Sequence, residues 1–233
     1  MDKEIDFNTK TGEFMIIKED KDMSKNEKQT IFIIHAENDG NIARAFCNML
    51  ESILRTHIHI KREIACTSLP GYPTGGGDSF EEILAGIDRS NNVFCLLTKT
   101  SFNKPWILYE MGYTMGKHPK KNLIPIRIGI DYDNHLNSKP YSRLSVKPYT
   151  KDELLVIIIN LLKNINNITD INDEAQLKKD SGINKHIKDF IKKVNEEIAK
   201  SVSINCPKCN IESVPHAKFC HQCGKKLTVP TVK

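Results

Sequence analysis

The chain has 233 residues, of which 39% are hydrophobic and 27% charged, and its formal net charge at pH 7 is +5. This length allows one medium-sized domain with an appendage or two small domains. The composition excludes a chain that is disordered throughout, and the modest lysine excess is more typical of a solvated surface than of a nucleic-acid-binding face.

The chain carries no recognisable export or membrane signal. Its first residues, Met1–Glu4, are charged and lack the apolar segment of a secretory signal. The longest apolar run, Leu154–Ile159, is too short to cross a bilayer. We therefore expect a cytoplasmic protein, in which the seven cysteines serve a purpose other than disulfide bonding. Three of them, Cys47, Cys66 and Cys95, lie among apolar neighbours and are predicted to be buried core residues.

Residues 1–28 are polar and charged apart from Phe14–Ile17, and we interpret them as a flexible N-terminal arm with at most one short strand or docking segment. A regular alternation of elements follows. Short apolar runs predict buried strands at Ile31–Ile34, Ile64–Thr67, Val93–Leu97 and Leu123–Ile126. Pro125 favours an edge or a strand start for the last of these.

Apolar residues at helical spacing follow each predicted strand. They predict helices over Ile42–Ile53, Phe80–Ile87, Trp106–Met115 and Leu154–Leu162. Strands that alternate with helices indicate a parallel sheet covered on both faces. Ligands bind such sheets at the carboxyl ends of the strands, so His35–Glu37, the Gly- and Pro-rich loop 68–78 and the segment 98–106 should meet on one rim.

Residues 167–203 predict a polar linker followed by an amphipathic helix. Its apolar positions recur at spacings of three and four from Ile183 to Ile198, opposite a lysine-rich face. Two interpretations stay open: the helix is a spacer that packs on its neighbours, or its apolar side is a self-association seam.

The segment 204–228 contains two Cys-x-x-Cys pairs separated by ten residues. The cysteines are Cys206, Cys209, Cys220 and Cys223. This spacing predicts a closed tetrahedral thiolate site for a structural Zn2+. His216 and His221 are alternative ligands that four thiolates make unnecessary.

The same segment resembles a small zinc ribbon, with Phe219 and Leu227 as its minimal core. A ribbon of this size serves as a docking module for a ligand or protein that the sequence does not identify. Lysines beside the knuckles permit a nucleic-acid partner but do not require one.

Five segments carry a family resemblance in the same order and spacing. They are Ile33–Asp39, Thr67–Tyr72, Gly77–Ile87, Ser90–Thr98 and Trp106–Gly112. Together they resemble TIR (Toll/interleukin-1 receptor-like) domains, most of all the bacterial type. The resemblance implies a flavodoxin-like α/β fold over residues 29–166 with a parallel five-strand sheet, followed by the helix and the zinc ribbon. His35–Ala36 and the Gly-rich loop 71–78 depart from the usual family pattern.

The resemblance also implies two activities. Some TIR domains are scaffolds that recruit other TIR domains, whereas others cleave NAD+ at the nicotinamide–ribose bond and in some cases cyclise the product. We expect an NAD+ nucleosidase that self-associates through its TIR domain and acts in bacterial defence or signalling. The alternative is a non-enzymatic scaffold whose zinc ribbon binds a partner.

Glu110 is the predicted catalytic carboxylate. Trp106 lies four residues earlier, on the same face of the predicted helix, where it would form an aromatic wall beside the carboxyl group and raise its pKa by desolvation. The plainer interpretation makes Trp106 a core anchor and Glu110 a solvated residue, and Glu37, Glu81 and Glu82 are weaker candidates. The predicted substrate-binding residues are Trp106, His35, Ala36, Pro70, Gly71, Tyr72 and Phe80.

Overall fold

The structure is a computed structural model. It describes residues 5–8, 13–16, 30–57, 63–66, 78–119, 122–131, 133, 136, 141–166, 171–201, 204–213 and 218–227. Near the N-terminus, β1 (Ile5–Asn8) and β2 (Glu13–Ile16) form an antiparallel hairpin, two strands where the sequence suggested at most one.

A five-stranded parallel sheet forms the centre of the fold. Its strands are β3 (Thr30–Ile34), β4 (Glu63–Cys66), β5 (Asn92–Thr98), β6 (Asn122–Ile128) and β7 (Lys147–Pro148). They are arranged in the order β4-β3-β5-β6-β7. The apolar runs of β3 and β5 are buried because helices cover both faces of the sheet. The predicted α/β fold is confirmed, and the strand order reverses at β3 and β5, where ligands bind in open sheets of this kind.

Six α-helices are described. They are α1 (Gly40–His57), α2 (Asp78–Arg89), α3 (Pro105–Lys117), α4 (Lys151–Asn166), α5 (Ile171–Lys179) and α6 (Ser181–Ser201). The four helices expected between residues 42 and 162 are confirmed, and α3 begins with Pro105 in the first position, where its missing N–H costs no hydrogen bond.

Pro125 lies inside the sheet and not at its edge, because β6 runs between β5 and β7. The pairing of β6 with β7 begins at Ile126, so β7 has no residue opposite Pro125. On the side of β7, Pro125 therefore has no ladder partner, so the missing N–H costs no hydrogen bond on that side of the strand.

On the face of the sheet that α1 and α4 cover, α6 packs against both helices. Ile183, Ile187, Phe190 and Val194 of α6 are buried in the same apolar cluster as the inner residues of α1, α4, β3 and β5. Phe46 of α1 makes edge-on ring contacts with Phe94 at 5.2 Å and with Phe190 at 5.4 Å between centroids. The apolar side of α6 is thus covered within the chain, as the spacer interpretation predicts.

The opposite face of the sheet packs against α2 and α3. Its buried cluster includes Ile87 of α2 and Ile107 and Met111 of α3. The three cysteines predicted to be core residues, Cys47, Cys66 and Cys95, are all buried. Part of the predicted linker is helical, since α5 occupies Ile171–Lys179.

The C-terminal segment contains two short strands. β8 (Ile204–Asn205) pairs antiparallel with β9 (Glu212–Ser213), and Phe219 forms an isolated bridge with Lys226. Among the described residues, no helix combines the length and the apolar character needed to span a membrane.

Candidate active site and cysteine cluster

Glu110 is a buried carboxyl group on α3. Its exposed fraction is 4%, whereas the preceding residue of the helix, Tyr109, is 45% exposed. Burial raises the pKa of Glu110 to about 8, and a hydrogen bond from the Trp106 side chain and the nearby His35 act in the opposite direction. A carboxyl group that titrates near neutral pH can change its charge when a ligand arrives.

His35 is the residue that follows β3 and is buried beside this carboxyl group. Its Nδ1 lies 2.8 Å from the carbonyl oxygen of Ala36, and since a carbonyl only accepts, Nδ1 carries a proton and donates it. Burial alone would lower the pKa of His35, but a hydrogen bond with Cys66, the Ala36 carbonyl and the charge of Glu110 raise it. The end of the first sheet strand therefore supplies a positively polarised group next to Glu110.

An exposed aromatic wall lies beside Glu110, and we use this name for Phe80, Trp106 and Tyr109. Phe80 and Trp106 are each 39% exposed and Tyr109 is 45% exposed. The ring centroids are 5.2 Å apart for Phe80 and Trp106, and 5.7 Å apart for Trp106 and Tyr109. The wall joins α2 to α3 and offers a stacking surface for a flat heterocycle.

The burial of these residues is the reverse of the plainer interpretation of the sequence. Trp106 is partly exposed, so it is not a core anchor, and Glu110 is buried, so it is not a solvated helix residue. The weaker candidates Glu37 and Glu81 are exposed.

The structure brings Glu110, His35 and Trp106 together. Ala36 is partly buried beside them, and Phe80 reaches the group across the aromatic wall. Pro70, Gly71 and Tyr72 lie outside the described residues.

Sequence reasoning missed Tyr109. It stacks on Trp106 three residues earlier, and its other side faces Tyr113 with 6.3 Å between ring centroids. The spacings of three and four along one helix were a usable signal for this row of rings.

A groove of about 560 Å³ lies between α1 and α6. Polar side chains such as Arg44 and Glu197 line it together with Met49 and Phe190, and none of the predicted site residues does. The groove lies on the sheet face opposite to α3, so it is separate from the surroundings of Glu110.

The four C-terminal cysteines converge, with all four sulfur atoms within 4.8 Å of one another. Cys206 and Cys223 Sγ atoms are 3.5 Å apart, and those of Cys209 and Cys220 are 3.6 Å apart. A thiolate tetrahedron around a metal with bonds of about 2.3 Å has edges of about 3.8 Å. The cysteines therefore fit a closed four-thiolate metal site.

The backbone around the cysteines adopts two matching knuckles. The N–H of Asn210 donates to the carbonyl of Cys206 and the N–H of Gly224 to that of Cys220, and both donors have positive φ. Backbone N–H groups directed at the Cys220 sulfur hold its pKa at about 6, which favours the thiolate that metals bind.

The surroundings of the cluster correct one prediction. Leu227 is buried against the cysteines as expected, whereas Phe219 is 59% exposed and is not part of a core. Its neighbour Cys220 faces inward instead. His221 is exposed, and His216 lies outside the described residues.

A family model for the TIR domain matches residues 31–155. Among solved structures, the chain is similar to a metazoan TIR-STING receptor from C. gigas in complex with 2',3'-cGAMP, with 20% identity and a TM-score of 0.41. This match covers 58% of the chain and 38% of the receptor chain. The chain is also similar to the TIR domains of the activated Roq1 resistosome that directly recognises the pathogen effector XopQ. The identity there is 13%, the TM-score is 0.35, and the match covers 73% of the chain and 97% of the other.

The search of the curated proteins found no match. The family model, however, spans more than half of the 233 residues and includes every strand of the parallel sheet except the first residue of β3. The chain therefore belongs to the TIR-domain family.

Proposed function

We propose that this TIR domain is an NAD+ glycohydrolase that breaks the nicotinamide–ribose bond, with Glu110 as its catalytic residue. The observation that carries the proposal is a buried carboxyl group at the ligand-binding rim of the sheet, beneath an exposed aromatic wall. Burying a carboxyl group costs free energy, whereas such a group suits a site that must stabilise a developing cation.

The chemistry requires one carboxylate. The C–N bond breaks with its electron pair going to the nicotinamide nitrogen, which leaves as a neutral base and needs no proton. The ribosyl cation that remains is stabilised by the carboxylate of Glu110. Water then adds to the cationic carbon and loses a proton, giving ADP-ribose. An internal nucleophile of the adenine in place of water would give a cyclic product.

The raised pKa of Glu110 fits a switch in charge on substrate binding. Without substrate the pKa is about 8, and the groups that face the carboxyl are His35, the Trp106 indole and the thiol of Cys95. The nicotinamide ring of NAD+ is positively charged, so its arrival favours the ionised carboxyl group. We expect kcat/KM to increase as pH rises through about 8, because this ratio reports the ionisation of the free enzyme.

The remaining residues have binding roles in this proposal. The aromatic wall stacks on a ring of the dinucleotide, and His35 and Ala36 line the end of β3. Pro70, Gly71 and Tyr72 belong to the loop that would close over the substrate or contact a second protomer.

The decisive experiment compares NAD+ consumption by the unaltered protein, Glu110→Gln and Glu81→Gln. Glu81 is a matched control because it is an exposed carboxylate on the neighbouring helix α2. We expect nicotinamide release by the unaltered protein and Glu81→Gln, and a loss of at least about 100-fold in Glu110→Gln.

Each reaction is run at low and high protein concentration, because self-association through the TIR domain would make activity concentration-dependent. Mass spectrometry of the second product separates linear from cyclic ADP-ribose. Full turnover by a folded Glu110→Gln protein would reject the assignment.

The alternative function is a non-enzymatic scaffold, which the exposure of the aromatic wall favours. A contiguous exposed aromatic surface often marks a protein-binding site. If the protein releases no nicotinamide at any concentration, and Tyr109→Ala abolishes self-association measured by light scattering, the scaffold is the correct function.

We further propose that Cys206, Cys209, Cys220 and Cys223 hold a structural Zn2+ in a cytoplasmic protein, and that the resulting zinc ribbon binds a partner. When bound, zinc would supply most of the folding energy of this short segment. Metal analysis should find one zinc per chain in the unaltered protein and in the control Cys47→Ala, but not in Cys206→Ser. Equal zinc in all three proteins would reject the site.

A further inference from the structure

Asp39 is a buried carboxylate at the rim of the sheet, and the proposed reaction gives it no role. It follows β3 and precedes α1, where a negative charge is favourable. Its two oxygens accept hydrogen bonds from Thr98 Oγ1 at 3.0 and 2.9 Å, and one of them also accepts from Thr100 Oγ1 at 3.3 Å. These bonds join the connection between β3 and α1 to the end of β5, 59 residues further along the chain for Thr98.

The same hydroxyl groups organise the connection that leads to α3. Thr98 N–H donates to Ser101 Oγ at 2.9 Å, and the hydroxyl groups of Thr98 and Ser101 are 3.0 Å apart. The backbone N–H of Phe102 donates to the Thr98 carbonyl, and that of Lys104 to the Ser101 carbonyl. Ser101 is fully buried, so this connection is a fixed turn and not a loose loop.

The turn ends directly before the first turn of α3. Lys104 is the residue before Pro105, its side chain makes no capping hydrogen bond, and its carbonyl accepts the N–H of Leu108. Since α3 lacks a side-chain cap, the start of this helix is held by the turn itself. Trp106 lies in that first turn, where its ring contacts those of Phe80 and Tyr109 at 5.2 and 5.7 Å between centroids and its side chain hydrogen-bonds to Glu110 one turn later.

We propose that Asp39, together with Thr98 and Thr100, is a positioning residue for the active site. It fixes the turn at residues 98–104, and through it the first turn of α3, so that Trp106 keeps the orientation in which its indole contacts Glu110. The catalytic consequence rests on the proposed function, whereas the effect on Trp106 does not.

Trp106 is the only tryptophan in the chain, so its fluorescence reports the position of this turn directly. The test uses Thr98→Val, which keeps the shape of the side chain and removes its hydroxyl, and Thr98→Ser, which keeps the hydroxyl. Ser90→Ala is the matched control, because Ser90 lies just before the other end of β5 and its buried hydroxyl donates to Gly86 at 2.7 Å.

We expect Thr98→Val to shift the emission of Trp106 and to increase its quenching by acrylamide, and Thr98→Ser to restore the values of the unaltered protein. Ser90→Ala should lose stability without changing the emission. In the NAD+ assay, Thr98→Val should reduce kcat by about 10- to 100-fold, the effect of a small misplacement of reacting groups, with a smaller change in KM.

Thr100→Val keeps the proposal testable if Thr98→Val does not fold, because Thr100 is exposed and its bond to Asp39 is the longest of the three. It should shift the emission in the same direction by a smaller amount. An unchanged emission and quenching in a folded Thr98→Val or Thr100→Val protein would overturn the proposal. A shifted emission in a protein that never consumes NAD+ would support the positioning role and reject the proposed function alone.

Discussion

The two faces of the sheet are built differently. On one face, α1, α4 and α6 share one buried apolar cluster with the sheet, in which Phe46 contacts Phe94 and Phe190. On the other face, α2 and α3 cover the sheet together with Tyr141 and its neighbours after β6, and there the molecule buries a carboxyl group at Glu110 and leaves aromatic rings in solvent. One face therefore supplies stability, and the other accepts unfavourable burial and exposure, which is typical of a functional surface.

The face that α1, α4 and α6 cover also shows that the folded unit extends beyond the residues that the family model matches. The family model ends at residue 155, whereas the apolar cluster on the α1 side continues through α6 to Val194. Helix α6 is thus a part of the core that this chain adds to its TIR domain. Its last turn also reaches the sheet rim, where Ile198 lies against Gly129 after β6.

The largest expected effect comes from removing α6. A chain that ends at Asn166 loses the buried residues Ile183, Ile187, Phe190 and Val194, and it exposes the apolar sides of α1 and α4. Burying each such side chain is worth about 1.5–3 kcal/mol, and native stability is about 5–15 kcal/mol. We expect this chain to be insoluble or to lack a cooperative thermal transition measured by circular dichroism.

The control is a chain that ends at Ser201, which removes the cysteine segment and keeps α6. It should unfold cooperatively. If the two shortened chains melt at the same temperature, α6 does not contribute to the core and the comparison between the faces is wrong.

The next effect contrasts one aromatic residue from each face. Phe46→Ala opens a cavity in a fully buried site and should lower the free energy of unfolding by about 3–5 kcal/mol. Tyr109→Ala removes a half-exposed ring and should cost about 1 kcal/mol or less. Urea denaturation of both variants measures the difference, and similar losses for the two would show that the exposed rings are structural.

Patterns along the chain predicted most of this architecture, because buried strands and helices with one apolar side leave strong periodic signals. The family resemblance implied five strands, but the apolar runs located only four of them, because the fifth strand, Lys147–Pro148, is two residues long and polar in character. The helix α5 was missed because its composition is that of a linker. The apolar side of α6 was visible in the sequence, but its partner α1 was not, since periodicity says nothing about what a surface packs against.

The candidate site likewise contains residues that the sequence predicted and contacts that it could not predict. Glu110 and Trp106 were predicted because they are four residues apart on one helix. The hydrogen bonds between Asp39 and Thr98 join residues 59 positions apart, and only the parallel pairing of β3 with β5 brings them together. The sequence therefore predicted no partner for Asp39.

A further prediction concerns the free energy of unfolding that the protein loses because the carboxyl group of Glu110 is buried. In the unfolded chain its carboxyl group ionises near the ordinary pKa of 4.5, but in the folded protein it stays protonated up to about pH 8. The folded state therefore binds one more proton in this window, so the contribution of Glu110 to stability is most favourable below pH 4.5 and is lost as pH rises through 8. Glu110→Gln has no charge to lose and should be more stable than the unaltered protein.

The difference in free energy of unfolding between Glu110→Gln and the unaltered protein should increase from pH 5 to pH 8 by at most about 1.4 kcal/mol per pH unit and then level off. Urea denaturation at several pH values measures it, and Glu81→Gln should show no such trend. A Glu110→Gln protein that is no more stable than its parent at pH 8 would mean that Glu110 is ionised at no cost in the resting fold.

The smallest effect concerns a charged cluster that joins the ends of α2 and α3, on the sheet face that carries Glu110. Asp88 of α2 accepts hydrogen bonds from Tyr113 Oη at 3.0 Å, Lys117 Nζ at 2.8 Å and His118 Nε2 at 2.6 Å. Burial alone would raise the pKa of Asp88, but the hydrogen bonds from Lys117, His118 and Tyr113 together lower it to about 2. The stability this group contributes is therefore present above pH 3.8 and is lost as pH falls through 2.

Solvent reaches Asp88, so we expect Asp88→Asn to cost only about 1 kcal/mol or less at pH 7. The control from the other face is Glu51→Gln on α1, which removes a single exposed pair with Arg55 at 3.2 Å and should cost still less. Denaturation of both variants at pH 7 and at pH 2 tests the comparison, and the Asp88→Asn deficit should shrink at pH 2. An equal cost for the two variants at pH 7 would show that three donors hold α2 to α3 no better than one ordinary surface pair, and that packing alone joins these helices.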